Sequence, residues 1–176
     1  NLTMTIYLLC SVVFIPTGDW LASRFGTRTV FQVALAVFGV SSLMCALASS
    51  VEMLVAARAI QGTSAALMVP VGRTSIVHVT PRPQLVSALA WMITFAMLGP
   101  MLGPLLGGLL TTWLSWHWIF LINVPIVVLC LLASMRAFPQ IRQPADRRFD
   151  ALSWLMLGGV LVCLIVVLEG VRENRM

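Results

Sequence analysis

Long apolar runs alternate along this chain with short polar connections. Six runs can be counted, near residues 2–22, 29–49, 52–77, 84–111, 117–137 and 151–170. A helix needs about 20 apolar residues to cross a bilayer's hydrocarbon core, and backbone polar groups cannot be left bare in lipid, so runs of this length predict membrane helices. The connections read SRFGTR, ASSVE, HVTPRPQ, TTWLSWHW and, longest, FPQIRQPADRRFD. The pattern as a whole predicts an all-α polytopic membrane protein.

Every second connection is basic. Arg24, Arg28, Arg73, Arg82, Arg136, Arg142, Arg147 and Arg148 fall on one side of the predicted spans, Arg172 and Arg175 on the other, and Arg58 lies inside a span. The arginine-rich side is expected to be cytoplasmic. Trp113, Trp116 and Trp118 then cluster at an outer boundary, where amphipathic rings favour the interface.

Composition agrees with this reading: 60% of the residues are hydrophobic and 10% are charged, against about a quarter charged in soluble domains. The chain has no lysine, so its excess of base is a property of a few loop arginines and does not suggest a nucleic-acid surface. Cys10, Cys45, Cys130 and Cys163 each sit in an apolar run without the close pairing of a metal or redox motif, and are expected to be small buried hydrophobes. The chain opens without a starting Met or a basic leader and ends in VRENRM, which points to a piece of a longer protein.

Two features interrupt the spans. Arg58, in VEMLVAARAIQGTSAALMVPVGR, lies about 9 Å beyond Glu52 along a helix. Charge at a span's centre costs at least about 2.5–3.5 kcal/mol, so it needs a partner, a water-filled cavity or a route to the interface. Gln61 is one turn further on the same face, and Gly62 allows a neighbouring helix to approach. The second feature is LGPMLGPLLGGLL, where Gly99-Pro100, Gly103-Pro104 and Gly107-Gly108 recur every four residues. That places small residues on one face and removes backbone donors at two successive turns, so a bent helix closely packed on a partner is expected.

Together these stretches resemble the major facilitator superfamily, and within it the fourteen-helix drug:proton antiporter branch. WLASRFGTR looks like the loop motif between the family's second and third helices, RAIQGTSAA like its fourth-helix motif, and GPMLGPLLGG like its fifth-helix antiporter motif. WHWIFLINVP is similar to the entry to the sixth helix, and FDALSWLMLGGVLVCLIVVLEG resembles the first of the branch's two extra helices.

The resemblance implies part of the N-terminal bundle of a major facilitator fold plus one extra helix. Helices two to six would occupy residues 1–137, a basic cytoplasmic loop 138–150, and the seventh helix with the start of an outer loop 151–176. It further implies a proton-driven exporter of drugs or other amphipathic small molecules in the bacterial inner membrane, working by alternating access. The proton gradient would supply the energy without a cofactor, and a periplasmic adaptor is a further candidate partner. By position, proton coupling falls to Arg58, with Gln61 and Gly62 shaping its surroundings. Antiport falls to Gly99, Pro100, Gly103, Pro104, Gly107 and Gly108, and the gate-loop lock to Arg24, Gly26 and Arg28.

The sequence departs from the family pattern in the gate loop. Ser23 stands where an acid is usual, and Asp19, about 6 Å towards the membrane, stands where a small glycine is usual. Either Asp19 serves for the missing acid by pairing with Arg24, Arg28 or an arginine of the next basic loop and joins Arg58 in proton coupling, or the lock is weakened and Asp19 has another partner, or it sits in the headgroup region. His117 stands where the branch often has arginine, as a proton sensor or as a plain interfacial side chain. Glu169 could pair with Arg172.

Other functions are less well served. An importer or exchanger of a polar metabolite should present several inward polar groups, whereas these spans offer mostly Met, Leu, Val, Ala and Phe. An intramembrane enzyme needs a catalytic set within the spans, and none forms: Asp19, Glu52 and Glu169 all lie near boundaries, and the two histidines are on opposite faces.

Overall fold

A computed structural model describes residues 2–113, 115–141, 154–156, 158–160 and 162–163. Its elements in chain order are α1 (Leu2–Phe14), α2 (Thr17–Phe25), α3 (Thr27–Ala46), α4 (Val51–Val79), α5 (Leu85–Trp113), α6 (Trp118–Leu121) and α7 (Asn123–Ala137), with a single 3₁₀ turn at Arg82–Gln84. Among the described residues, four helical stretches are long and apolar enough to cross a membrane, or five if the bent pair formed by α1 and α2 is one span. Most of the sixth predicted run, along with Arg142, Arg147, Arg148, Glu169, Arg172 and Arg175, lies outside the described residues.

The first predicted span is not one straight helix. It bends by 55° between α1 and α2, at Ile15-Pro16, because proline has no N–H to donate and its ring crowds the preceding turn. Two other groups take carbonyls near the break: Thr17 Oγ1 donates to Phe14 O at 2.6 Å, and Trp154 Nε1 donates to Val13 O at 2.9 Å. The Trp154 ring also meets Phe14 edge-on at 6.1 Å. The start of the last apolar run is thereby placed against the bend.

The bundle is organised around α4, which packs against α1, α2 and α3, while α7 packs on α3. Much of its interior is made of small residues. Ala34, Gly39, Ser41, Ser42, Cys45 and Ala46 of α3 are buried, as are Ala57, Gly62, Ser64, Ala66 and Ser75 of α4. Lipid is as apolar as leucine, so helices associate in it through close backbone approach, which small side chains permit. Large apolar side chains such as Val33, Val40, Val69, Leu129 and Leu132 face outward instead.

Two expectations change at the surface. Cys45 is buried, but Cys130 and Cys163 are exposed and Cys10 is half-buried, since α7's outer face, like that of the other helices, carries its side chains away from the small-residue interior. No residue of α5 is buried, and the helix runs unbroken through Pro100 and Pro104. A Cβ added at Gly99, Gly103, Gly107 or Gly108 would meet nothing within 4 Å, so the partner expected on that face is not among the described residues. Between α5 and the rest of the bundle lies an apolar cavity of about 380 Å³, bounded by Phe31, Met68, Ile76, Met92, Ala96 and Phe138 among others.

Candidate functional site

Two polar centres form, one near each end of α4. The first begins with Ser50, the N-cap of α4, whose hydroxyl accepts from Met53 N at 3.2 Å. Arg58 follows about 12 Å further along the helix, at 1.5 Å per residue. Its guanidinium is held by two rings and an amide. Its Cζ lies 4.6 Å from the centroid of the Phe120 ring and 5.5 Å from that of Tyr7, and Nη1 donates to Gln61 Oε1 at 3.1 Å.

Gln61 is only 1% exposed, and its amide is oriented from α3: Nε2 donates to Ser42 Oγ at 2.6 Å, and Cys45 Sγ lies 4.0 Å from Oε1. Arg58 Nε is buried and has no hydrogen-bond partner among the described residues. No carboxylate among those residues pairs with Arg58. Desolvated cation–π contacts are worth up to about 2 kcal/mol each, and a hydrogen bond to a charged group about 1.5–3 kcal/mol. Neutral groups can therefore offset a cost of about 2.5–3.5 kcal/mol for charge at a span's centre.

Gly62 sits beside this centre where α1 crosses α4. A Cβ there would run into the Tyr7 carbonyl oxygen, and Ser11 Oγ bridges the crossing by donating to Tyr7 O at 2.8 Å and to Gly62 O at 3.1 Å. The close approach that brings the Tyr7 ring over Arg58 thus requires glycine at this position.

The second centre gathers residues 18–28, 70–75 and 135–141. Gly18 lies against Pro70, and Asp19 Oδ1 accepts from Thr74 Oγ1 at 2.8 Å. Asp19 makes no ion pair with an arginine among the described residues; its partner there is Thr74. Ser23 Oγ turns back to Trp20 O at 2.7 Å, and Arg24 lies over the rings of Trp20 and Phe25 at 5.5 and 5.9 Å.

Gly26 forms the turn into α3 at φ +90°, a backbone conformation that residues with a Cβ rarely adopt. The segment after α7 docks on this turn. Thr27 N donates to Ile141 O at 3.1 Å, Thr27 Oγ1 donates to Pro139 O at 2.9 Å, and Ile141 N donates back to that hydroxyl at 3.1 Å. Arg28 Nη2 donates to Met135 O, and Phe138 stacks on Phe31 with centroids 4.4 Å apart. The turn at Gly26 is therefore held from within the described chain by residues 135–141.

Arg58, Gln61 and Gly62 come together, as do Asp19, Gly26 and Arg28 around their respective partners, whereas the α5 residues join neither centre. Tyr7, Ser42, Cys45, Phe120, Thr74 and Thr27 were not singled out by the spacing of residues. The available signal was weak: a serine within a predicted span has to place its hydroxyl somewhere.

Residues 1–153 match the family described as Major Facilitator Superfamily. The chain is 39% identical over 170 residues to "Putative multidrug resistance protein MdtD" of Klebsiella pneumoniae subsp. pneumoniae, covering 97% of this chain and 36% of that protein. It is 40% identical over 174 residues to the protein of the same name from Cronobacter sakazakii, covering 99% of this chain and 37% of that one. To the Escherichia fergusonii protein of that name it is 38% identical over 170 residues. The chain spans little more than a third of the length of these curated relatives. With most of its length matched and its helices built for lipid, this multi-pass membrane chain belongs to the Major Facilitator Superfamily.

Proposed function

We propose that this chain is the part of a fourteen-helix drug:proton antiporter that comprises helices two to seven, and that the complete protein exports amphipathic small molecules across a bacterial plasma membrane by alternating access. Residues 1–137 would supply five helices of the first bundle, 138–150 the cytoplasmic loop, and 151–176 the first extra helix. The observation that carries the reading is Arg58, inside the bundle on Gln61 and between two aromatic faces, with no carboxylate paired to it among the described residues. Intramembrane charge is costly and marks ion or substrate pathways. The names of the relatives and the fifth-helix Gly-Pro repeat favour export over import.

In this mechanism a proton on a carboxylate removes a charge, weakens its attraction to arginine, and changes the relative stability of the inward-facing and outward-facing states. The test is dye efflux by the full-length protein in proteoliposomes with an imposed pH gradient. Wild type should export dye until a protonophore collapses the gradient, and Arg58→Ala should bind dye without gradient-driven export. Efflux that persisted with the protonophore, or in Arg58→Ala, would sink the reading.

A further inference from the structure

The stretch WHWIFLINVP leads into α6, and its Phe120 is only 6% exposed and faces Arg58 at 4.6 Å. Trp116 meets the Phe120 ring edge-on, at 6.2 Å and 88°. On the other side Tyr7 reaches the guanidinium from α1 at 5.5 Å, and Ser42 fixes the Gln61 amide from α3.

We propose that Phe120 and Tyr7 are positioning residues: their ring faces, together with Gln61 as set by Ser42, hold the Arg58 guanidinium at a fixed place inside the bundle. The proposal rests on the reading of Arg58 as the proton-coupling cation. A carboxylate would also fix the side chain, but its charge would cancel most of the arginine's field at any other acid. Aromatic faces and an amide are neutral overall, so they fix the cation's position and leave that field available. Three helical elements, α1, α3 and α6, must converge on α4 to do this, which gives α6 a task that the exposed tryptophans beside it do not explain.

The experiment uses full-length protein in proteoliposomes, measuring gradient-driven dye efflux and its pH profile together with dye binding. Phe120→Leu should lose roughly tenfold in efflux, the size expected for one desolvated cation–π contact, with a shifted pH profile and dye affinity retained. Phe120→Tyr should restore both efflux and profile. Tyr7→Leu against Tyr7→Phe gives the same comparison from α1 if Phe120→Leu does not reach the membrane.

Successive fluorination of the residue 120 ring weakens its negative face at nearly constant shape. Efflux should fall in step with fluorine number, whereas a packing role leaves it flat. A flat fluorination series, or leucine variants equal to their aromatic counterparts, would overturn the proposal while leaving Arg58 itself intact. Full gradient-driven efflux by Arg58→Ala would overturn both.

Discussion

Thr74 of α4 donates a 2.8 Å hydrogen bond to the carboxylate of Asp19 on α2, across 55 positions of sequence. The exposed acid of α2 is thereby tied to α4. Asp19→Asn keeps an acceptor oxygen and should lie near wild type. Thr74→Val and Asp19→Ala should each loosen α2 by about 0.5–1 kcal/mol, as for an ordinary hydrogen bond at an exposed site. Cysteine-accessibility labelling of residues 18–28 should then change about two- to fivefold. Equal labelling in Asp19→Asn and Asp19→Ala, both far from wild type, would show that the charge and not the bond matters.

Gly62→Ala should push α1 and α4 apart. The added methyl meets the Tyr7 carbonyl, which is backbone and cannot turn aside, so a cost of about 1–3 kcal/mol is expected. A Cβ at Gly72, on the same helix, meets nothing within 4 Å, and Gly72→Ala should be neutral or slightly stabilising. Thermal unfolding of the two variants in detergent should separate them by several degrees, with Gly62→Ala the lower.

Thr27 is 2% exposed, and its hydroxyl both donates to Pro139 and accepts from Ile141. Thr27→Val keeps the shape and removes both bonds, leaving backbone groups unpaired at about 1–3 kcal/mol. Thr27→Ser should be almost silent. Limited trypsin digestion after Arg142, just beyond the docked segment, should accelerate in the valine variant alone.

Gln61→Glu supplies Arg58 with a carboxylate in place of a neutral amide. The protein should insert and keep its thermal stability, because the pair is satisfied, yet gradient-driven efflux should fall by about tenfold or more as the opposite charge quenches the cation. Gln61→Leu strands Arg58 Nη1 and the Ser42 hydroxyl, and should instead lose stability by about 1–3 kcal/mol. Dye efflux measured beside thermal unfolding distinguishes the two kinds of damage.

The spans were legible because lipid imposes a length and an apolar character that any helix must meet. The Arg58–Gln61 pair was legible because residues three apart share a helical face. Phe120 and Tyr7 were not, since a ring in an apolar run looks the same whether it faces lipid or a cation. Asp19 was readable as a displaced acid, but its partner was not, because a threonine hydroxyl carries no charge to betray it. The docking of Ile141 on Thr27 left no periodic trace, being irregular backbone paired to a turn. The 55° bend was missed although Pro16 was in plain view, since apolar length alone does not register a missing backbone donor.

α4 carries the Phe120-capped arginine near one end and the Asp19 tie near the other, sixteen residues or about 24 Å apart. If the helix pivots at Arg58 as a rigid rod, a tilt of only about 5° moves Thr74 by about 2 Å. That is enough to carry a 2.8 Å hydroxyl–carboxylate contact out of bonding range. On that geometry a displacement too small to notice at Arg58 would make or break the Asp19–Thr74 contact.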